Sequence, residues 1–137
     1  MPPEALVSLR VPGLPEYLLV VRLMVSGVAT RMNFPAEAVE DIKLAVSEAC
    51  TFLLERRRPS AQEVPPLEVR CHLQEQALAI EVEMESPPSP SGSPAAEALE
   101  PAGLGMLIMQ CIMDEVEILE TASSLSLRMM KRLPPAE

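Results

Sequence analysis

The first 58 residues carry apolar side chains at two different periods. Residues 5–11 alternate, which predicts a short strand that Pro12 and Gly13 end. Apolar residues then recur every three or four positions, which predicts one helix from about Pro15 to Met32 and a second from Pro35 to the arginines at 56–58. The two apolar stripes consist of Leu14, Leu18, Val21, Val25, Val28 and Met32, and of Val39, Ile42, Val46, Ala49 and Leu53.

Alternation returns after a proline-containing loop at residues 59–66. Two runs, 67–73 and 78–84, place apolar residues at every second position and are separated by a turn at 75–76, so they predict a hairpin with one solvated face. Residues 86–102 differ, because they contain five prolines and four serines. A loop of this length is uncommon inside a compact domain unless it is functional or disordered, and we expect it to be flexible.

The last third of the chain predicts a third helix and a second hairpin. The helix begins at Gly103, and the hairpin joins residues 116–118 to 125–129 through 122–124. The predicted order is β-α-α-β-β-loop-α-β-β, which indicates an α+β fold with a mostly antiparallel sheet and helices on one face. A length of 137 residues fits a single domain spanning 1–137.

Composition narrows the class of partner. The chain has 20 acidic and 11 basic side chains, a formal net charge of −9, and only three aromatic residues, Tyr17, Phe34 and Phe52. A nucleic-acid-binding surface needs positive charge and usually aromatic rings, so direct nucleic-acid binding is not expected. An acidic protein is instead suited to a basic partner, with electrostatic attraction that weakens as salt rises.

The cysteines and the termini point to a cytoplasmic protein without a metal. Cys50, Cys71 and Cys111 are far apart, and His72 is the single histidine, so neither a disulfide framework nor a zinc site is expected. All three cysteines lie in apolar patterns and are predicted to be reduced core thiols. The chain has no signal-peptide pattern at its start and no apolar run long enough to span a bilayer. Most of the late methionines are also expected in the core: Met106, Met109, Met113, Met129 and Met130.

Two longer stretches carry a family resemblance. Residues 39–51 read VEDIKLAVSEACT, and residues 103–116 read GLGMLIMQCIMDEV. With residues 15–17, 22–23 and 26–29, they resemble the bacterial anti-sigma-factor serine kinases of the RsbW and SpoIIAB type, within the histidine-kinase-like ATPase superfamily. The resemblance runs in order from about Leu6 to Leu133.

The resemblance implies a fold and a function. The fold is the two-layer α/β sandwich of the histidine-kinase-like ATPase (Bergerat) type, with ATP and Mg bound between the helices under a flexible lid, here residues 86–102. Proteins of this type act as cytoplasmic dimers that hold a sigma factor away from RNA polymerase, often in stress responses. They also phosphorylate a serine of an anti-anti-sigma factor. We therefore expect a homodimer with these two protein partners and no membrane partner.

Three residues match the family's ATP-handling motifs. Glu48 matches the general-base glutamate that takes the proton from the substrate serine. Gly103 and Gly105 match the second glycine box, where backbone N–H groups at the start of a helix meet phosphate. Without the resemblance, Glu48 reads as a solvated helix residue, and the two glycines read as a loop that enters a helix.

Other positions depart from the family pattern. Phe52 stands where the family has its magnesium-binding asparagine, and a phenyl ring offers no ligand oxygen. Met84 stands where the family has the aspartate that accepts a hydrogen bond from the adenine amine, and a thioether accepts such a bond only weakly. Glu85, one residue further on, replaces that aspartate only if the register shifts. ATP and Mg binding is therefore expected to be lost.

Two functions stay open at this point, beside a third alternative, an unrelated soluble α/β domain, which requires the long matching stretches to be a coincidence. One is a binding module, an anti-sigma-like regulator that acts by protein–protein contact with a degenerate ATP site. The other is an active serine kinase with a rearranged site built on Glu48, Gly103, Gly105 and Glu85. They differ in whether Mg-ATP binds, because loss of the magnesium ligand removes the positioning and charge neutralisation that phosphoryl transfer requires.

Overall fold

The structure, a computed structural model, describes residues 5–56, 64–85 and 103–135. Its strands are β1 (Ala5–Pro12), β2 (Pro66–Leu73), β3 (Ala77–Glu85), β4 (Glu115–Glu120) and β5 (Ser124–Arg132). Its α-helices are α1 (Leu18–Arg31), α2 (Ala36–Glu55) and α3 (Gly103–Ile112). This order confirms the predicted succession of elements, whereas the predicted lid-like loop at 86–102 lies outside the described residues.

All five strands form one antiparallel sheet in the order β1-β2-β3-β5-β4. Both predicted hairpins are present, and β5 inserts between β3 and β4. Alternation decides which residues face the helices: in β3 the even-numbered positions 78–84 are buried, while the glutamates between them are more exposed. The α+β prediction is therefore confirmed.

Helices α1 and α2 begin later than predicted, at Leu18 and Ala36. Residues Pro15–Tyr17 form a 3₁₀ turn rather than the first turn of α1. Pro35 precedes α2 as its N-cap residue, with extended backbone (φ −59°, ψ 154°), instead of being the first helical residue. Its carbonyl accepts the hydrogen bond from Val39 N at 3.0 Å. Proline still marks the helix boundary, because it supplies this acceptor and has no N–H of its own that requires a partner.

The helices cover one face of the sheet in the order α1-α2-α3. Helix α1 lies over β1 and β2, α2 lies over β3 and β5, and α3 lies beside β4. The core between the layers is aliphatic, as the scarcity of aromatic residues requires. None of the helices among the described residues is long and apolar enough to cross a membrane.

Two of the three cysteine predictions are confirmed and one is wrong. Cys50 and Cys71 are buried, and burial raises the pKa of each thiol to about 12. Cys111 is exposed, because it lies on the side of α3 that faces away from the sheet. The late methionines follow the prediction, since Met106, Met109, Met113 and Met129 are buried and Met130 is half-buried.

The opposite face of the sheet is charged. Arg70 on β2 donates hydrogen bonds to Glu68, Glu81 and Glu83, including one of 2.9 Å from Nε to Glu81 Oε1. Burial opposes the guanidinium charge, but the hydrogen bonds to Glu81, Glu68 and Glu83 outweigh burial and raise the pKa of Arg70. This network keeps the uncovered sheet face polar.

Candidate functional site

The first part of the candidate site is a small cleft between α2 and α3. It encloses a cavity of about 80 Å³. The lining residues are Glu48, Thr51, Phe52, Glu55, Gly105, Met106 and Met109. Since the family resemblance assigns Glu48, Phe52 and Gly105 to phosphate handling, we call this region the phosphate half. The structure thus brings Glu48, Phe52 and Gly105 together. The other candidates from the sequence are Met84, Glu85 and Gly103.

Glu48 and Gly105 are in direct contact across this cleft. The Oε2 atom of Glu48 lies 2.8 Å from the point where a Cβ would stand on Gly105. Any side chain at position 105 would therefore displace the carboxylate. The contact also places a negative charge near the first turn of α3, where the helix dipole favours an anion.

Phe52 fills the part of the cleft that the resemblance assigns to magnesium. Its ring is only 5% exposed, and the guanidinium of Arg56 stacks over it, with Cζ 3.5 Å from the ring centroid. Arg56 Nη1 also donates to the Phe52 carbonyl at 3.0 Å. Burial lowers the pKa of Arg56, while the charge of Glu55 opposes that effect.

Arg56 is a site residue that sequence patterning missed, because the pattern treats it only as a basic residue at a helix end. The available signal was its spacing of four from Phe52, which stacks two side chains on the same side of a helix. Its cation–π contact fixes the charge next to an aromatic ring at the edge of the phosphate half.

The second part of the site lies around Met84 near the end of β3, and we call it the adenine half. Met84 is 3% exposed and pairs with Leu67 on one side and Leu125 on the other. Its Cε lies 3.1 Å from the point where a Cβ would stand on Gly13. The N–H of Gly13 also donates to Pro65 O at 3.1 Å, so Gly13 lies against the residue that precedes β2.

The remaining two candidates stand apart from both halves. Glu85 is exposed and points to the opposite face of the sheet from Met84, because successive strand residues alternate. Gly103 starts α3 with a positive φ of 58°, and a Cβ added there would meet nothing within 4 Å. Its glycine identity therefore follows from backbone conformation rather than from crowding. Within the described ranges, no group of three or more His, Cys, Asp or Glu residues could hold a metal ion.

Comparisons with known proteins agree with this architecture. Residues 11–131 match the family described as histidine kinase-like ATPase domain. The chain is 34% identical to the serine-protein kinase RsbW of Bacillus pumilus, covering 93% of this chain and 86% of that protein. It is 31% identical to the serine-protein kinase RsbW of Bacillus subtilis, covering 93% of this chain and 85% of that protein.

Two solved structures share the fold. One contains the RsbU and RsbW domains of a Mycobacterium tuberculosis protein, with a TM-score of 0.71 and 15% identity over 96% of this chain and 34% of that chain. The other is the histidine kinase domain of a blue-light-activated histidine kinase from Erythrobacter litoralis, with a TM-score of 0.58 and 16% identity over 90% of this chain and 62% of that chain. By both sequence and fold, the chain belongs to the histidine kinase-like ATPase domain family, among the relatives of serine-protein kinase RsbW.

Proposed function

We propose that this protein is a cytoplasmic anti-sigma-type regulator of transcription that acts by binding a sigma factor, an anti-anti-sigma factor or both, with a degenerate ATP site. The observation that carries the proposal is the buried ring of Phe52 between α2 and α3, at the position of the family's magnesium-binding asparagine. The ring occupies this position while the fold around it is retained. This supports a role in partner binding that does not depend on nucleotide chemistry.

The phosphate half does not fit a magnesium–triphosphate group. Its cavity of about 80 Å³ compares with roughly 300–1,000 Å³ for typical small-molecule sites. Glu48 and Glu55 both line it, and two carboxylates repel a polyphosphate unless a cation intervenes. Arg56 stacks on the ring of Phe52 and donates to its carbonyl, and it is not among the residues that line the cavity.

The adenine half also does not fit its ligand. Met84 is packed between Leu67 and Leu125 and against Gly13, so its own side chain occupies the position that the resemblance assigns to the adenine-binding aspartate. An adenine amine placed there would lose its hydrogen bonds to water and gain only a thioether as partner. Leaving such a group unpaired costs about 1–3 kcal/mol. Both halves therefore disfavour ATP.

A second candidate function, an active serine kinase, is favoured by the contact between Glu48 and Gly105. That contact keeps the carboxylate of a candidate base next to a glycine of the candidate phosphate loop. A rearrangement of Phe52 would be needed to admit the nucleotide. This alternative predicts label transfer from ATP to a partner serine, and the loss of transfer in Glu48→Ala.

Calorimetric titration with Mg-ATP distinguishes the two functions. We expect no binding heat and no shift in Tm for the parent chain. A Phe52→Asn variant restores an amide oxygen and opens the cleft, so we expect it to gain weak but measurable heat through the phosphate half, without the adenine contact. Binding of Mg-ATP by the parent chain would overturn the degenerate site.

Phe34→Asn is the matched control for this titration. Phe34 is 5% exposed, as Phe52 is, but it does not line the cleft. The two variants make the same chemical change at equal burial, so both lose stability. Only Phe52→Asn is expected to gain nucleotide binding, which separates an opened cleft from general loosening of the fold.

Partner binding is tested separately by co-purification of the tagged protein from its own host, with identification by mass spectrometry. We expect a sigma factor or an anti-anti-sigma factor, with recovery that falls as salt rises because the chain carries a net charge of −9. Recovery of neither class would contradict the regulatory role, whatever the result of the ATP titration.

The expected homodimer has one structural support. Helix α1 exposes Leu19 (61%) and Leu23 (63%), which lie one helical turn apart on the same side of the helix. Contiguous exposed apolar side chains of this kind mark an interaction surface. Sedimentation velocity of the parent chain and of Leu23→Lys measures the effect: we expect a dimer that the charged variant dissociates.

A further inference from the structure

A second concave surface lies at the far edge of the sheet, away from the cleft between α2 and α3. It is a groove of about 550 Å³ between the end of α3 and strand β4. The residues that line it include Met113, Glu115, Val116, Glu117, Arg128 and Met129. The groove therefore combines an apolar floor with acidic side chains.

Strand β4 is an open edge along this groove. It is the last strand in the sheet order, and in the described part of the chain only β5 pairs with it. An edge strand presents a row of unpaired backbone N–H and C=O groups, which can accept one more strand from another chain. The geometry is thus that of a site for an extended peptide.

The turn that shapes the groove is held rigidly. Asp114 N donates to Met130 O at 2.9 Å, and Asp114 Oδ2 accepts from Arg132 N at 2.7 Å. Lys131 Nζ donates to Ile112 O at 2.6 Å and so caps the end of α3. A groove that is already ordered costs a ligand little conformational entropy when it binds.

Charge selects the occupant. Glu115, Glu117 and Glu120 of β4 are all exposed. Arg132 pairs with Glu115 at 3.4 Å, whereas Glu117 has no ion pair or side-chain hydrogen bond within the described residues. Arg128, the basic residue of the lining, has a counter-charge in Glu81, 3.9 Å away. A second copy of β4 would bring glutamates against glutamates, which is unfavourable, so the groove is suited to a basic strand.

The alternation of β4 also sets the pattern of that strand. Glu115 and Glu117 lie on the uncovered face of the sheet, whereas Val116 lies on the face that contacts the helices, near the buried Met113 and Met129. Side chains of an added strand alternate between the same two faces. Basic residues would therefore meet the glutamates while the residues between them meet the apolar floor.

We propose that this groove binds an extended segment of a partner protein in which lysine or arginine alternates with apolar residues, added as a sixth strand beside β4. The site is separate from the phosphate and adenine halves and does not depend on nucleotide. Its occupant is distinguished from a second copy of this chain by its positive charge.

The probe is an eight-residue peptide with capped ends, in which lysine alternates with valine and threonine. The control peptide has the same composition, but its lysines are consecutive. By calorimetry at low salt we expect the alternating peptide to bind at least tenfold more tightly than the control peptide. Amide hydrogen exchange should show new protection in β4 alone.

Two variants that each replace one glutamate with lysine, and so change the net charge equally, complete the test. Glu117→Lys should weaken binding of the alternating peptide at least tenfold, because it places a cation at the centre of the groove. Glu75→Lys, in the exposed turn between β2 and β3, should leave binding within about twofold. Equal binding by both variants, or by both peptides, would overturn the proposal. So would β4 protection that rises with protein concentration without peptide, because it would show that a second copy covers this edge.

Discussion

Two glycines, one in each half of the candidate site, show how differently the halves are packed. In the adenine half, a Cβ on Gly13 would overlap the backbone carbonyl oxygen of Pro65, which cannot move without the β2 segment. In the phosphate half, a Cβ on Gly105 would meet only the Glu48 carboxylate at 2.8 Å, the far end of a flexible side chain. The same addition of a methyl group meets rigid backbone at one position and a mobile group at the other.

The two positions that the resemblance marks as departures from the family pattern, Phe52 and Met84, are therefore packed in different ways. Around Met84 the neighbours are strand residues and the backbone of Gly13 and Pro65, which can move less than a side chain can. Around Phe52 one ring and flexible methionines fill the cleft and leave a cavity of about 80 Å³. The phosphate half is therefore the half that mutation can change.

The largest effect is expected from Phe52→Ala. Removal of this buried ring should lower the free energy of unfolding by about 3–5 kcal/mol, because both the apolar contact and the stacking surface of Arg56 are lost. Urea denaturation measures the loss, and Phe34→Ala should cost a similar amount. Only Phe52→Ala should accelerate amide hydrogen exchange in α3, because only Phe52 lies in the cleft between α2 and α3. Equal acceleration in α3 by both variants would contradict this local packing role of Phe52.

Gly13→Ala should have the next largest effect. We expect a loss of about 2–3 kcal/mol in the free energy of unfolding, because the added methyl group forces the Pro65 backbone away and disturbs Met84. Urea denaturation with Gly27→Ala as the control measures it, since a Cβ on Gly27 meets nothing within 4 Å. A loss below about 0.5 kcal/mol would show that the adenine half is not tightly packed.

Alkaline pH tests the core that both halves share. Burial raises the pKa of the Cys50 and Cys71 thiols from 9.0 to about 12, so above pH 9 the unfolded chain loses protons that the folded chain keeps. These two thiols leave stability unchanged below pH 9, and they should lower it between pH 9 and 12 by about 1.4 kcal/mol per thiol for each pH unit. Cys50→Ala should reduce this slope by about half in urea denaturation, and an unchanged slope would contradict the assignment.

Gly105→Ala should have the smallest effect. Alanine is favoured over glycine in a helix by about 1 kcal/mol, but here the methyl group must displace Glu48. We expect a net change within about 0.5 kcal/mol in the parent chain, and the full gain of about 1 kcal/mol in a Glu48→Ala background. The difference in this double-mutant cycle measures the contact, and equal changes in both backgrounds would show that it has no energetic weight.

Most of the fold could be predicted from local pattern. The stripe in α2 and the alternation in β2 and β3 specify which faces are buried, and these faces decide the packing of helices on the sheet. Errors occurred where the pattern is ambiguous: Cys111 lies in an apolar run, but α3 exposes that side because the sheet covers only its opposite face.

Less of the candidate site could be predicted. The resemblance identified Glu48, Phe52, Met84 and the glycines, but it did not show that Arg56 stacks on Phe52. Nor did it show that Met84 packs against Gly13 or that Glu48 contacts Gly105. Contacts across helices or between distant segments depend on three-dimensional packing, which periodicity along one segment does not contain.

The sequence by itself determined the order of the elements, the aliphatic core, the acidic charge and the family, because hydrophobic period, composition and motif wording are all local properties of the chain. Only the tertiary structure decided that Met84 packs against Gly13, that Glu48 contacts Gly105, and that β4 forms an open acidic edge. These features arise from residues far apart in sequence, and close packing brings them together with little tolerance for a change in volume.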